Sequence, residues 1–144
     1  NESAYITTGR SPVGVSFHVN SCSGYLEQFQ DFSPSLNLAC PSPLDGIDNV
    51  AFNLDQTCVD YINRIPRCTA NTGSLPSALS SSCVSFINSR VNYNSCVDTH
   101  KNDGSFYKPE WRLFLKQTSE FWNNTKETVR LTDHGGKLVD MMTY

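Results

Sequence analysis

The sequence carries little charge of either sign. Its 144 residues hold 11 Lys and Arg against 14 Asp and Glu, a formal net charge of −3. The basic residues stand singly, as at Arg10, Arg64, Arg90 and Lys116. Affinity for a phosphate backbone needs clustered cations, because it comes from releasing several counterions together. A nucleic-acid partner is therefore not expected. Nor does any stretch approach the ~20 apolar residues that span a bilayer. The chain opens on a polar segment, Asn1 to Ser11, without the apolar core of an export signal. A mature or trimmed form is expected, with membrane contact only through an anchor outside this sequence.

Catalytic and metal signatures are also sparse. No Gly-x-Ser-x-Gly elbow occurs, and Ser21-Cys22-Ser23-Gly24 has no obvious base beside it. Structural zinc usually shows closely spaced Cys pairs, but no two cysteines here stand two to four residues apart. The three histidines are His18, on the polar side of a predicted strand, His134, in a predicted turn, and His100. His100 lies near Asp98 and Asp103 at a predicted helix end, where the macrodipole favours a cationic side chain. No catalytic, cofactor-binding or metal-binding residue is assigned, no cofactor is expected, and the chain reads as a non-enzyme. Two carboxylates can converge from anywhere in a chain, so a small exported hydrolase of cell-wall or nucleic-acid material is the alternative.

What the sequence does have is six cysteines: Cys22, Cys40, Cys58, Cys68, Cys83 and Cys96. An even count at wide spacing reads as a disulfide framework, which persists in oxidising compartments. An extracellular or cell-surface location follows. A weak echo relates Cys58-Val-Asp-Tyr-Ile-Asn63 to Cys83-Val-Ser-Phe-Ile-Asn88, each followed by a second cysteine, Cys68 and Cys96. The pairing could be Cys58 to Cys96 with Cys68 to Cys83, or one bond within each unit. Either choice leaves Cys22 with Cys40.

Composition divides the single domain into three parts. Residues 1–50 hold N-terminal strands and an irregular loop. Val15, Phe17 and Val19 alternate as in a half-buried strand, and Tyr25, Leu26, Phe29 and Phe32 follow a helix-like spacing. Residues 51–104 form a Cys-rich helical insertion. Its first helix begins at an Asn53 cap, buries Leu54, Cys58, Tyr61, Ile62 and Ile65, and stops before Pro66. A second begins near Ser80 with Leu79, Cys83, Phe86 and Ile87 inward, and a third spans Asn92 to His100. Residues 105–144 are β-rich. Trp111, Leu113 and Leu115 alternate with polar or larger neighbours, which predicts Trp111 in the core. Thr128–Thr132 and Leu138–Thr143, separated by Asp133-His-Gly-Gly, predict an antiparallel hairpin.

The run Trp111-Arg-Leu-Phe-Leu, Glu120-Phe-Trp122, Glu127-Thr-Val-Arg-Leu-Thr-Asp133, Gly136-Lys-Leu-Val-Asp140 and Thr143-Tyr144 resembles the end of a lamin-tail domain of the bacterial, exported type. The likeness covers roughly the last quarter of the chain. It implies an α+β chain built on an immunoglobulin-like β-sandwich (lamin-tail-like) with a disulfide-linked helical insertion. It also implies a non-catalytic module of exported or surface proteins. Closing the sandwich requires strands from Pro12 to Phe32, because a hairpin alone cannot bury its apolar face.

Tyr107, Phe121 and Trp122 form the candidate binding surface, for protein or surface glycan. Trp122 could instead cover an open end of the sandwich. Asn1-Glu-Ser3 and Asn123-Asn-Thr125 match the glycosylation pattern. An exposed edge at Leu138–Thr143 could pair with another chain and support self-assembly. The expected function is adhesion, scaffolding or assembly of a surface structure, with carbohydrate binding near Trp122 as a further alternative.

Overall fold

A computed structural model describes residues 2–11, 15–47, 52–119, 121–122 and 125–144. The chain is α+β; its described residues form a three-stranded sheet, a two-stranded sheet, three α-helices and three disulfides. Its elements are β1 (Ser3–Thr7), β2 (Phe17–Asn20), a 3-10 helix over Ser23–Gln28, α1 (Gln56–Arg64), α2 (Ser81–Arg90), α3 (Tyr93–His100), β3 (Tyr107–Phe114), β4 (Thr128–Thr132) and β5 (Leu138–Thr143).

The helices follow their caps. Ser80 caps α2, its hydroxyl accepting from the Cys83 N–H, and Asn92 caps α3, accepting from Ser95 N–H at 3.0 Å. In α1 the cap is Asp55, not Asn53; the Asp55 carboxylate accepts the Cys58 N–H at 2.8 Å. Asn53 has a φ of 51°, a left-handed turn conformation outside the helix. A carboxylate is also the better acceptor at the positive end of the helix dipole. Extended Ile65 ends α1 ahead of Pro66, as proline sterics require. Buried Cys58 and Ile62 of α1 meet Cys83, Phe86 and Ile87 of α2 in one apolar cluster.

The cysteines do not pair in either of the ways expected from the repeat. The bonds are Cys22–Cys96, Cys40–Cys68 and Cys58–Cys83. Cys58 and Cys83 occupy the same place in the two repeat units, the third residue of α1 and of α2. The helices pack through these equivalent faces, with Cα atoms 5.6 Å apart. The second cysteine of each unit turns toward the N-terminal third and meets Cys40 or Cys22. Those two sulfur pairs pack with Tyr25 and Phe106 in a second cluster. Burial pushes the Tyr25 phenol above its ordinary value, with Arg67 pulling weakly the other way.

The three-stranded sheet has the order β1–β3–β2, with β1 parallel and β2 antiparallel to β3. The polar N-terminal segment thus supplies an edge strand, its Ala4 opposite Trp111 and its Ile6 opposite Leu113. Between Pro12 and Phe32 the described residues hold one strand, β2, followed by the 3-10 helix; residues 12–14, at the start of the stretch expected to supply the missing strands, lie outside the described set. Pro109 sits in central β3, where a missing N–H would normally break the ladder. Here the β1 register begins at Glu110, and the β2 register shifts between His18 and Asn20, so no regular pair uses it.

The two faces of β3 are the reverse of those expected. Arg112 and Phe114 are buried, and Trp111 is 38% exposed. Arg112 fits the interior because Glu110 neutralises it at 2.6 Å and the Tyr5 ring lies 4.5 Å from its guanidinium carbon. Phe114 packs with Val19, Phe32 and Leu36. Replacing Glu110 by Ala should strand the buried cation and cost about 2–3 kcal/mol, less than a fully buried pair because Glu110 retains solvent. Arg112→Met should cost less. Urea unfolding of the two variants checks this; equal losses would mean that the pair acts through packing alone.

Candidate functional site

The solvent side of the three-stranded sheet carries an aromatic stack. β3 alternates its side chains, so Tyr107 and Trp111 stand on the side opposite Arg112 and Phe114. His18 of β2 lies opposite Trp111 in the ladder. Its imidazole is held between the two rings, 4.2 Å from Trp111 and 4.7 Å from Tyr107, with planes 4° and 10° from parallel. His18 Nε2 lies 2.7 Å from the Lys108 carbonyl. A carbonyl only accepts, so this nitrogen carries the proton. Trp111 Nε1 donates to Glu2 at 3.2 Å, tying the chain start to the stack. Tyr107 remains 60% exposed, and Ile6 extends the same side along β1. Of the three rings, only Tyr107 was expected on the binding surface; Trp111 was expected in the core and His18 on the polar side of its strand. Cross-strand registry, which placed His18 opposite Trp111, has no local sequence signal.

Phe121 and Trp122 form a separate pair, their ring centres 6.0 Å apart. Phe121 is exposed and Trp122 half-buried. Among the described ring contacts, none joins them to Tyr107. The glycosylation patterns fall partly on residues 1, 123 and 124, which lie outside the described residues.

The remaining candidates have local partners. All six cysteines are bonded. His100 Nδ1 lies 2.8 Å from Asp103, and Asp98 pairs with Lys101 at 3.1 Å. Ser23 is buried, and its hydroxyl accepts the Asn20 N–H at 2.9 Å. Among the described residues, no group of three or more His, Cys, Asp or Glu is placed to hold a metal. A groove of about 350 Å³ runs beside the end of α1, lined by Tyr61, Arg64, Asn71 and Leu75 among others, with no carboxylate, imidazole or thiol in its wall.

The hairpin matches its predicted bounds, β4 antiparallel to β5. Asp133 Oδ1 accepts from the N–H groups of Gly135 and Lys137, both at 2.9 Å, and Gly136 turns the chain at φ 80°. Every residue of the two strands is exposed except half-buried Val129. Among the described residues, no helix is long and apolar enough to cross a membrane. No protein-family model, curated protein or solved structure matches the chain.

Proposed function

We propose that this chain is a non-catalytic module outside the cytoplasm that acts in adhesion, scaffolding or assembly of a surface structure. The observation that carries the reading is where its apolar surface lies. The disulfide-bonded helical part buries its apolar residues in two clusters. The β surfaces instead leave Ile6, Tyr107, Leu131, Val139 and Met142 at 42–62% exposure. Apolar side chains left exposed on strands mark contact with other macromolecules more often than chemistry. Three disulfides fit an oxidising location.

The lamin-tail-like, immunoglobulin-like reading belongs to this proposal. In it the three-stranded sheet is one layer and the hairpin is an open second layer, completed by strands from outside the chain. The second reading, carbohydrate binding, is favoured by the exposed ring of Phe121 beside Trp122.

Antibody against the domain should label intact cells that produce it, without permeabilisation. Labelling confined to permeabilised cells would overturn the location. Purified protein added to those cells should be retained, and Tyr107→Ser should reduce retention about tenfold, as loss of an aromatic anchor does at protein interfaces. If Trp122→Ala abolishes retention and Tyr107→Ser does not, the carbohydrate reading replaces the first.

A further inference from the structure

The groove beside the end of α1 has walls that are fixed before anything enters it. The Cys58–Cys83 bond holds α1, and the Cys40–Cys68 bond holds the chain just after Pro66. Gln28 grips the next residues, its Nε2 donating to the Ala70 carbonyl at 3.0 Å and its Oε1 accepting the Ala70 N–H at 2.8 Å. Asn71 shapes the following turn, donating to the Gly73 carbonyl at 3.0 Å and accepting the Gly73 N–H at 3.4 Å. Both side-chain amides of the wall are thus committed to structure. A ligand entering here has little of the protein to order, and ordering is a main cost of binding.

The polar groups left over stand on α1. Tyr61 and Arg64 are three residues apart, so they share a helix face, and both line the groove. Among the described residues, neither the Tyr61 hydroxyl nor the Arg64 guanidinium makes a hydrogen bond, and Arg64 has no ion pair. Asp60, one turn earlier and the usual partner for such an arginine, is held instead by Gln56 Nε2 at 2.7 Å. A basic residue in the last turn complements the helix dipole. Arg90 does so at the end of α2, and its guanidinium also lies 5.2 Å from the centre of the Phe52 ring. Arg64 has no such partner. Ile65, Pro66, Ala70 and Leu75 supply apolar wall, and no carboxylate faces the groove.

We propose that this groove binds a small organic carboxylate with an apolar body, its carboxylate on Arg64 and Tyr61 and its body against Ile65 and Leu75. A guanidinium fork matches the two oxygens of a carboxylate, and the phenol supplies a further donor. One uncompensated cation matches one negative charge, which favours a carboxylate over a more highly charged phosphate monoester. The volume of about 350 Å³ equals about twelve waters at ~30 Å³ each. That admits a single ring on a short acid chain and is too small for an oligosaccharide or a folded partner. The groove shares no residue with the aromatic stack or the hairpin, so the proposal stands apart from the assembly reading.

The probe is 3-phenylpropanoate, titrated into the isotopically labelled chain with its disulfides intact and followed by amide NMR. Saturable shifts should appear within residues 61–75, with a Kd of about 1 mM, as ordinary ligand efficiency gives for a molecule of this size. The uncharged 3-phenylpropan-1-ol should bind about tenfold more weakly, because the charge-assisted bonds are lost. Arg64→Gln should weaken the acid about tenfold, and Arg64→Lys about threefold, since an ammonium keeps the charge without the fork. Arg64→Glu should reverse the preference, losing the acid and admitting 3-phenylpropylammonium. Arg64 is exposed, so these substitutions leave the packed clusters intact. No saturable shift up to about 20 mM acid, an alcohol that binds as well as the acid, or an Arg64→Gln chain that binds like the natural one would each overturn the proposal.

Discussion

Replacing Cys22 and Cys96 together by Ala should lower stability by about 4 kcal/mol, the largest loss expected from removing any of the three bonds. Their sequence separation is 74, against 28 for Cys40–Cys68 and 25 for Cys58–Cys83. In the chain-entropy account a crosslink acts on the unfolded ensemble, and its effect grows slowly with the loop it closes. The shorter bonds should each contribute about 3.5 kcal/mol. This bond also has a structural role that the loop term omits. It ties the turn before the 3-10 helix to α3, and Cys22 is wholly buried. Denaturant midpoints of the three double-alanine variants give the ranking. A loss below about 1 kcal/mol for Cys22–Cys96 would mean that the packed clusters alone hold the N-terminal third. The losses should not add. The Cys40–Cys68 and Cys58–Cys83 loops overlap along the chain, so removing one enlarges the freedom that the other restricts.

Gly24→Ala should cost about 3 kcal/mol or more, although alanine ordinarily favours helical backbone over glycine. The reason is space. A Cβ at Gly24 would overlap Cys68 Sγ, lie 2.6 Å from the Asn37 carbonyl oxygen, and come within 3.1 Å of Cys40 Sγ. Neither obstacle is a flexible side-chain end; one is backbone and the other is a buried disulfide. Gly24 is there because the 3-10 helix must lie directly on the Cys40–Cys68 bond. A fall in melting temperature of roughly 10 °C is the expected result for a chain of this size. Combining Gly24→Ala with Cys40→Ala and Cys68→Ala should cost less than the sum, because the sulfurs that block the methyl are gone. Strict additivity would count against the clash. A thermal melt unchanged by Gly24→Ala would remove it altogether.

Both predictions concern the contact between the N-terminal third and the helical part, which composition had presented as separate segments. Two of the three bonds cross that division. A rigid joint there holds β2, and through its register with β3 the stack of His18 on Trp111, in place above the buried side of the sheet. The proposed contact surface therefore depends on the buried Cys22–Cys96 bond behind it, which packs with Phe106 next to Tyr107.

Local chemistry was legible in the sequence. The hairpin could be read to its ends, because alternation and an Asp-x-x-Gly turn act within a few residues. The starts of α2 and α3 could be read from Ser80 and Asn92, and the end of α1 from Pro66, for the same reason. The inward residues Cys58, Ile62, Cys83, Phe86 and Ile87 followed from helical period alone. Tertiary structure decided what depends on distance. It set which cysteines meet, since three bonds among six cysteines require Cα separations that no spacing encodes. It placed β1 beside β3, a pairing of residues more than a hundred positions apart. It also turned Arg112 inward and Trp111 outward. Alternation along β3 defines two faces but does not say which is covered; that was settled by Glu110, Tyr5 and Phe32 making the interior hospitable to a guanidinium, and by His18 giving the indole a stacking partner in the open.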